Sequence, residues 1–222
     1  MNSSRPDFIV VEGPIGVGKT SLAKRLAESF DSELLLEGAD ENPFLERYYK
    51  KPGEAALPTQ LFFLFQRARQ MQELRQHDLF RPVRVADFLM EKDRLFAELT
   101  LQDDEFDLYE QVYENMTIDA PVPDLVIYLQ APVEVLQQRI NKRGIDAEKR
   151  ISNAYLQRLV DGYTNFFYQY NSAPLLVVNA SEIDLINSTQ DYELLLDQVK
   201  NRRSGRHYFN PQPFEFWFWA DY

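Results

Sequence analysis

The sequence predicts an α/β fold built on a parallel sheet, and three observations carry that expectation. A glycine-rich phosphate-binding loop stands between an apolar run and an amphipathic helical stretch within residues 8–30. Short apolar runs then alternate with helical patterns along the chain, the signature of βαβ units. The first three runs each end on a polar group, and ligands of open α/β sheets sit outside the carboxyl ends of the strands.

Phe8-Ile9-Val10-Val11 is a short, β-branched apolar run, as a buried strand requires. Residues 13–20 read Gly-Pro-Ile-Gly-Val-Gly-Lys-Thr, matching G-x-x-x-x-G-K-[ST] with Gly13, Gly18, Lys19 and Thr20 at the defining positions. Such glycines, Gly16 among them, let backbone N–H groups turn inward around phosphate oxygens. Lys19 reaches the β- and γ-phosphates, and the Thr20 hydroxyl is placed to ligate Mg²⁺. Ser21 opens a stretch with Leu22, Ala23, Leu26, Ala27 and Phe30 at helical spacing, so the loop meets a helix N-terminus that favours anions.

Leu34-Leu35-Leu36 is the second run and ends at Glu37. Residues 42–51 pattern as a short helix closed by Pro52-Gly53. Pro58 is expected to open a long helix reaching about His77, with an apolar face of Leu61, Phe62, Leu64, Phe65 and Met71. Residues 83–86 form the third strand, ending at Asp87. Residues 92–101 and 105–115 are helical, with Asp103-Asp104 as the cap between them. Residues 125–129 form the fourth strand, and Pro132 sits in the first turn of a helix reaching Arg143. A helix over 151–170, a fifth strand over 175–178 and a last helix over about 189–200 complete the pattern. The expectation is five parallel strands flanked by helices in one domain over residues 1–222. Residues 205–222 are aromatic and Pro-punctuated, suited either to wrap the body as a tail or to pack on a partner subunit.

Composition narrows the function classes. The 222 residues suffice for a sizeable core, and 45% hydrophobic content is ordinary for a globular chain. With no cysteine, disulfides and thiolate metal sites are excluded. A net charge of −11 argues against a nucleic-acid polymer as partner. No signal peptide or membrane span is visible, which suggests a cytoplasmic enzyme.

The strand ends supply candidate chemistry. Asp87 is placed to hold Mg²⁺ opposite Thr20, or else is a helix N-cap or an ordinary loop aspartate. Glu37 suits a general base taking a proton from an acceptor hydroxyl; equally, it reads as an exposed carboxylate at a strand end. Arg139 and Arg143 lie four apart on one helical face, suited to clamp a phosphoryl group from a mobile lid or simply to complement the helix dipole. Gln60 and Arg67 are two turns apart, with Phe63 near the same face, an arrangement that fits a planar base or an ordinary helix surface.

Together these residues resemble the deoxynucleoside kinase family, the group acting on deoxyadenosine, deoxyguanosine and deoxycytidine, over about residues 8–159. Glu37 stands where that family's E-P segment carries its catalytic base, with Gly38 in place of the proline. Asn42-Pro43-Phe44-Leu45 followed by Tyr48-Tyr49 resembles the bacterial members. Tyr49 falls eleven residues before Gln60, matching the family's sugar-contacting tyrosine and base-contacting glutamine. Arg67 and Asp93 match its base-reading pair. Arg139-x-x-x-Arg143-Gly144 resembles its lid, about residues 143–150, in which Glu148 is implied to hold the 3′-hydroxyl. Two departures stand out. The family's [DE]-R-[ST] at the end of strand three is here Asp87-Phe88-Leu89, so the arginine that lies near the base glutamate and the 5′-hydroxyl is gone; Arg84, Lys92 and Arg94 are cations near it in sequence. Ile145 stands where the lid often has another arginine.

The resemblance implies transfer of the γ-phosphate of ATP, with Mg²⁺, to the 5′-hydroxyl of a deoxynucleoside in nucleotide salvage, with a purine favoured. It implies a homodimer and feedback inhibition by a deoxynucleoside triphosphate. The alternatives are a nucleoside monophosphate kinase of the same fold, which Glu37 speaks against, and a nucleotide-binding regulatory protein with little transfer, suggested only by Phe88.

Overall fold

In the computed structural model, residues 6–76, 84–116, 120–201 and 204–210 are described. His77, Val83 and residues 211–222 of the aromatic tail lie outside them. Among the described residues six strands form one sheet: β1 (Phe8–Glu12), β2 (Glu33–Leu35), β3 (Arg84–Ala86), β4 (Leu125–Gln130), β5 (Leu175–Asn179) and β6 (Arg206–Phe209). Their order is β2-β3-β1-β4-β5-β6, with every neighbouring pair parallel.

The central strands are buried on both faces, which is why they read as continuous apolar runs. Ile9, Val11, Ile127 and Val178 face one core, shared with Leu22 and Leu26 of α1 (Lys19–Phe30), Leu136 and Ile140 of α6 (Val133–Arg143) and Leu195 of α8 (Thr189–Lys200). Phe8, Val10, Val126 and Val177 face the other core. There they meet Leu64 and Met71 of α3 (Pro52–Gln76), Leu95 of α4 (Lys92–Thr100), Tyr109 of α5 (Asp103–Asn115), and Tyr163 and Phe167 of α7 (Asn153–Gln169). After β1 the chain turns to one side of that strand for β2 and β3, then to the other for β4, β5 and β6, which makes the carboxyl end of β1 the topological switch point.

The structure corrects the expected five strands to six. β6 comes from the first part of the aromatic tail, and that part wraps onto the body of the same chain. It pairs along β5, and Arg206 donates to the carbonyls of Phe167 (2.6 Å) and Tyr168 (2.9 Å) at the end of α7. Arg-His-Tyr-Phe carries no apolar run because an edge strand is only half covered.

The long helix begins at Pro52, not Pro58. Pro52 takes the first helical position, where a missing N–H costs nothing. Burial of Ala55 and Ala56 beside Tyr48 then carries the helix through Pro58. Accordingly the short helix before it, α2, spans only Leu45–Lys50, preceded by a single 3-10 turn at Ala39–Glu41. The helix expected from residue 105 starts at Asp103, capped by Gln102 and Glu105 rather than by the two aspartates.

Gly13 is fixed by close approach as well as conformation. Its φ is +149°, and a Cβ there would stand 2.5 Å from the Leu129 carbonyl oxygen on β4. Backbone cannot yield as a side chain can, so Gly13→Ala is expected to cost about 1–3 kcal/mol of stability, read by urea denaturation.

Candidate active site

The carboxyl ends of the strands open into a cavity of about 720 Å³, a size suited to small-molecule ligands. One end is walled by Gly16, Gly18, Lys19, Thr20 and Ser21, and by residues 180–187 following β5. The other end is walled by Tyr49, Gln60, Phe63, Arg67, Phe96 and Tyr155. Glu37, Asp87 and Lys92 lie along the same cavity, as do Arg139, Arg143 and Glu148.

At the loop end, Gly18 has φ +106° and leads directly into α1. The Lys19 ammonium folds back on its own loop and donates to the Gly13 carbonyl at 2.6 Å. Burial pushes Lys19 down from its usual value, with Glu12 pulling the other way. The Thr20 hydroxyl donates to Asp87 Oδ2 at 2.5 Å, and Asp87 Oδ1 accepts from the Glu37 backbone N–H at 2.7 Å. Burial pushes the Asp87 carboxyl up, opposed by the hydrogen bond from Thr20. A hydroxyl and a carboxylate oxygen side by side are hard donors of the kind Mg²⁺ takes. Among the described residues no cluster of three or more Asp, Glu, His or Cys surrounds them. The pair therefore fits a cation that draws the rest of its shell from phosphate oxygens and water, as Mg²⁺ habitually does.

Glu37 links the two ends, its backbone N–H bonded to the Asp87 that holds Thr20 and its carboxylate paired with Arg67. That carboxylate also lies 3.3 Å and 3.4 Å from Lys92 Nζ. Burial alone would raise its pKa. The Arg67 guanidinium, with Lys92 and Lys19, outweighs burial and brings it down to about 2, so Glu37 is an anion throughout the neutral range. Gly38 beside it is tightly filled: a Cβ there would stand 2.7 Å from the Gln66 amide nitrogen, which donates to the Gly38 carbonyl. The side chain of Gln66 takes up the room that a proline would need.

Arg67, itself only 3% exposed, joins two carboxylates, Glu37 through Nη2 and Asp93 through Nη1 at 2.6 Å. Its guanidinium also lies 5.1 Å from the Phe63 ring centroid. Asp93 is fully buried behind it and is not among the cavity-lining residues. The expected base-reading pair is thus one arginine facing the cavity with its counter-ion underneath. Gln60 is buried, with its amide donating to Thr100 Oγ1 at 3.2 Å.

The lid residues are split. Arg139 donates to the carbonyls of Val17 (3.1 Å) and Ala180 (2.6 Å), so its guanidinium ties the phosphate loop to the end of β5 rather than standing free to clamp. Arg143 is exposed and paired with Glu148 across Gly144. Tyr49 and Glu148 both line the cavity, and burial, followed by the Glu148 charge, pushes the Tyr49 phenol upward.

Several contributors escaped the sequence reading. Glu12, the last residue of β1, accepts from the N–H groups of Gly13 and Leu89 and from the Tyr163 hydroxyl, each at 2.9 Å. Its place directly before the loop was the available signal. Phe96 and Tyr163 lie within the helical stretches 92–101 and 151–170, where nothing in the sequence set them apart. Residues 180–187 carry no motif, and only their position after a strand marked them.

The described residues include no helix long and apolar enough to cross a membrane. Comparison with known proteins gives a consistent picture. The family described as deoxynucleoside kinase matches residues 9–202. Deoxyguanosine kinase of Bacillus subtilis is 34% identical over 199 residues, covering 87% of this chain and 96% of the relative. Deoxyadenosine kinase of Lactobacillus acidophilus is 29% identical over 208 residues, covering 87% and 95%. Among solved structures, deoxyadenosine kinase from M. mycoides with bound dATP superposes with a TM-score of 0.76 at 25% identity, covering 87% of this chain and 98% of that one.

Proposed function

The chain belongs to the deoxynucleoside kinase family, and we propose on that premise that it moves the γ-phosphoryl group of ATP onto the 5′-hydroxyl of a purine deoxynucleoside. One observation carries this reading: a single cavity holds in succession the phosphate loop, an ionised carboxylate and an aromatic-walled recess.

Lys19 and the loop N–H groups hold the donor phosphates. The 5′-oxygen bonds to the γ-phosphorus as the bond from phosphorus to the β,γ-bridging oxygen breaks. ADP leaves, and the hydroxyl proton passes to the Glu37 carboxylate. Mg²⁺ held by Thr20 and Asp87 would neutralise charge on the phosphates. Arg143, from the lid, adds positive charge at the moving group, while Arg139 keeps the loop and residues 180–187 in register around the donor. Tyr49 and Glu148 meet the 3′-hydroxyl. Phe63 and Phe96 flank the base, and Gln60 and Arg67 present donors to its edge. Both purines carry an N7 acceptor there that pyrimidines lack, which favours deoxyguanosine or deoxyadenosine. The dATP bound by the M. mycoides enzyme supports a deoxynucleoside triphosphate as feedback ligand, and a homodimer is the expected assembly.

Incubation with MgATP and each of the four deoxynucleosides, or their monophosphates, tests the reading. The expected result is a 5′-monophosphate formed fastest from deoxyguanosine or deoxyadenosine. No product from any deoxynucleoside overturns it; turnover of monophosphates alone points to a monophosphate kinase, and tight nucleotide binding without turnover to a regulatory protein.

A further inference from the structure

Lys92 is a lysine where elementary physics disfavours one. It is 2% exposed, and burying an ammonium group costs several kcal/mol unless it is well paired. It also occupies the first position of α4, where a cation meets the positive end of the helix dipole. Neither placement helps the helix, so the reason for the charge lies in what it touches. Its Nζ stands 3.4 Å from Glu12 Oε2, 3.3 Å from Glu37 Oε1 and 5.5 Å from the Phe96 ring centroid, and it lines the cavity. Glu12 belongs to the donor side, since its carboxylate caps the Gly13 N–H at the root of the phosphate loop. Glu37 belongs to the acceptor side. Phe88, the residue that replaces the expected arginine, is buried in the apolar core and carries no charge.

We propose that Lys92 is the positioning residue that locks the Glu37 carboxylate to Glu12, and through it to the phosphate loop, so that base and donor keep a fixed separation. This rests on the reading of Glu37 as the base. The lysine reaches the site from four residues beyond Phe88, which explains how the site keeps a cation without the arginine. Glu37 retains Arg67 when Lys92 is removed, so the carboxylate stays charged but loses one of its two tethers.

A kinetic double-mutant cycle tests this. Lys92→Met is expected to lower kcat about 10–100-fold with the KM for ATP within about 3-fold. In a Glu37→Gln background the same change is expected to cost less than about 3-fold, because the lysine acts through that carboxylate. Lys92→Arg is expected to recover most of kcat. A charge-balanced Glu12→Gln/Lys92→Met variant, checked by circular dichroism, covers the case in which Lys92→Met alone fails to fold. Equal losses of kcat in both backgrounds, or failure of both Lys92→Met variants to fold, would assign the lysine a merely structural role and overturn the proposal. Full activity of Glu37→Gln alone would instead remove the base assignment beneath it.

Discussion

Glu37→Gln is expected to lower kcat by about 10²-fold or more while the KM for each substrate changes only a few-fold. Glutamine keeps the shape of the side chain, and the backbone N–H of residue 37 keeps its bond to Asp87. What it loses is the anion that accepts the proton. With a pKa near 2, Glu37 is a weak base, and this suits the reaction. Phosphoryl transfer proceeds through a loose transition state in which the acceptor hydroxyl gives up its proton late, once bonding to phosphorus has made it acidic. A strong base is not needed; one that is always ionised and correctly placed is. Arg67 and Lys92 supply both conditions, since each lowers the pKa and each restrains the carboxylate. Initial rates of ADP formation, with donor and acceptor varied in turn, give the two KM values and kcat. An unchanged kcat would mean that the proton leaves by another route, to solvent or to a phosphate oxygen.

How much of this was legible in the chain depended on how local its cause is. The phosphate loop was, because cradling phosphate needs backbone conformations that only glycine supplies at fixed spacing, as at Gly13 and Gly18. Strands β1, β4 and β5 were, because burial on both faces demands unbroken apolar runs. β6 was not, since an edge strand tolerates Arg206 and exposes Tyr208. The start of α3 was misjudged because Pro58 looked like a boundary, whereas packing of Ala55 and Ala56 decided the matter. In the site, Glu37 and Asp87 stood out at strand ends, and Thr20 and Arg67 by their motif and helical spacing, but the pairing of Glu37 with Arg67 and Lys92 did not. Lys92 at the head of a helix reads as a solvated lysine, and Asp93 beside it gives no hint that it lies beneath Arg67. Those facts come from α3 and α4 packing across one another, which no spacing along the chain encodes.

That packing makes Arg67 the side chain whose loss is expected to destabilise the fold most. Arg67→Met is expected to cost about 3–5 kcal/mol at neutral pH, because it strips a buried carboxylate of its cation. Asp93 is fully buried, and Arg67 Nη1 pairs with it at 2.6 Å. Burial already pushes its carboxyl above the usual range, with Arg67 as the chief opposing influence. Without the arginine it rises further, so that Asp93 is protonated in the folded protein at pH values where it is ionised in the unfolded chain. The folded state then binds the extra proton, and stability falls as pH rises above the ordinary aspartate value. The penalty of Arg67→Met should therefore be larger at pH 7.5 than at pH 5. Arg67→Met/Asp93→Asn, which removes the orphaned charge, should regain much of the lost stability and lose that pH dependence, though not activity, since Glu37 still lacks a tether. Urea denaturation of the three proteins at both pH values decides it. If Arg67→Met stayed within about 1 kcal/mol of the parent, or the added Asp93→Asn restored nothing, then the ion pair would not be what holds α3 to α4, and the apolar contacts around Leu64 and Leu95 would have to carry that junction.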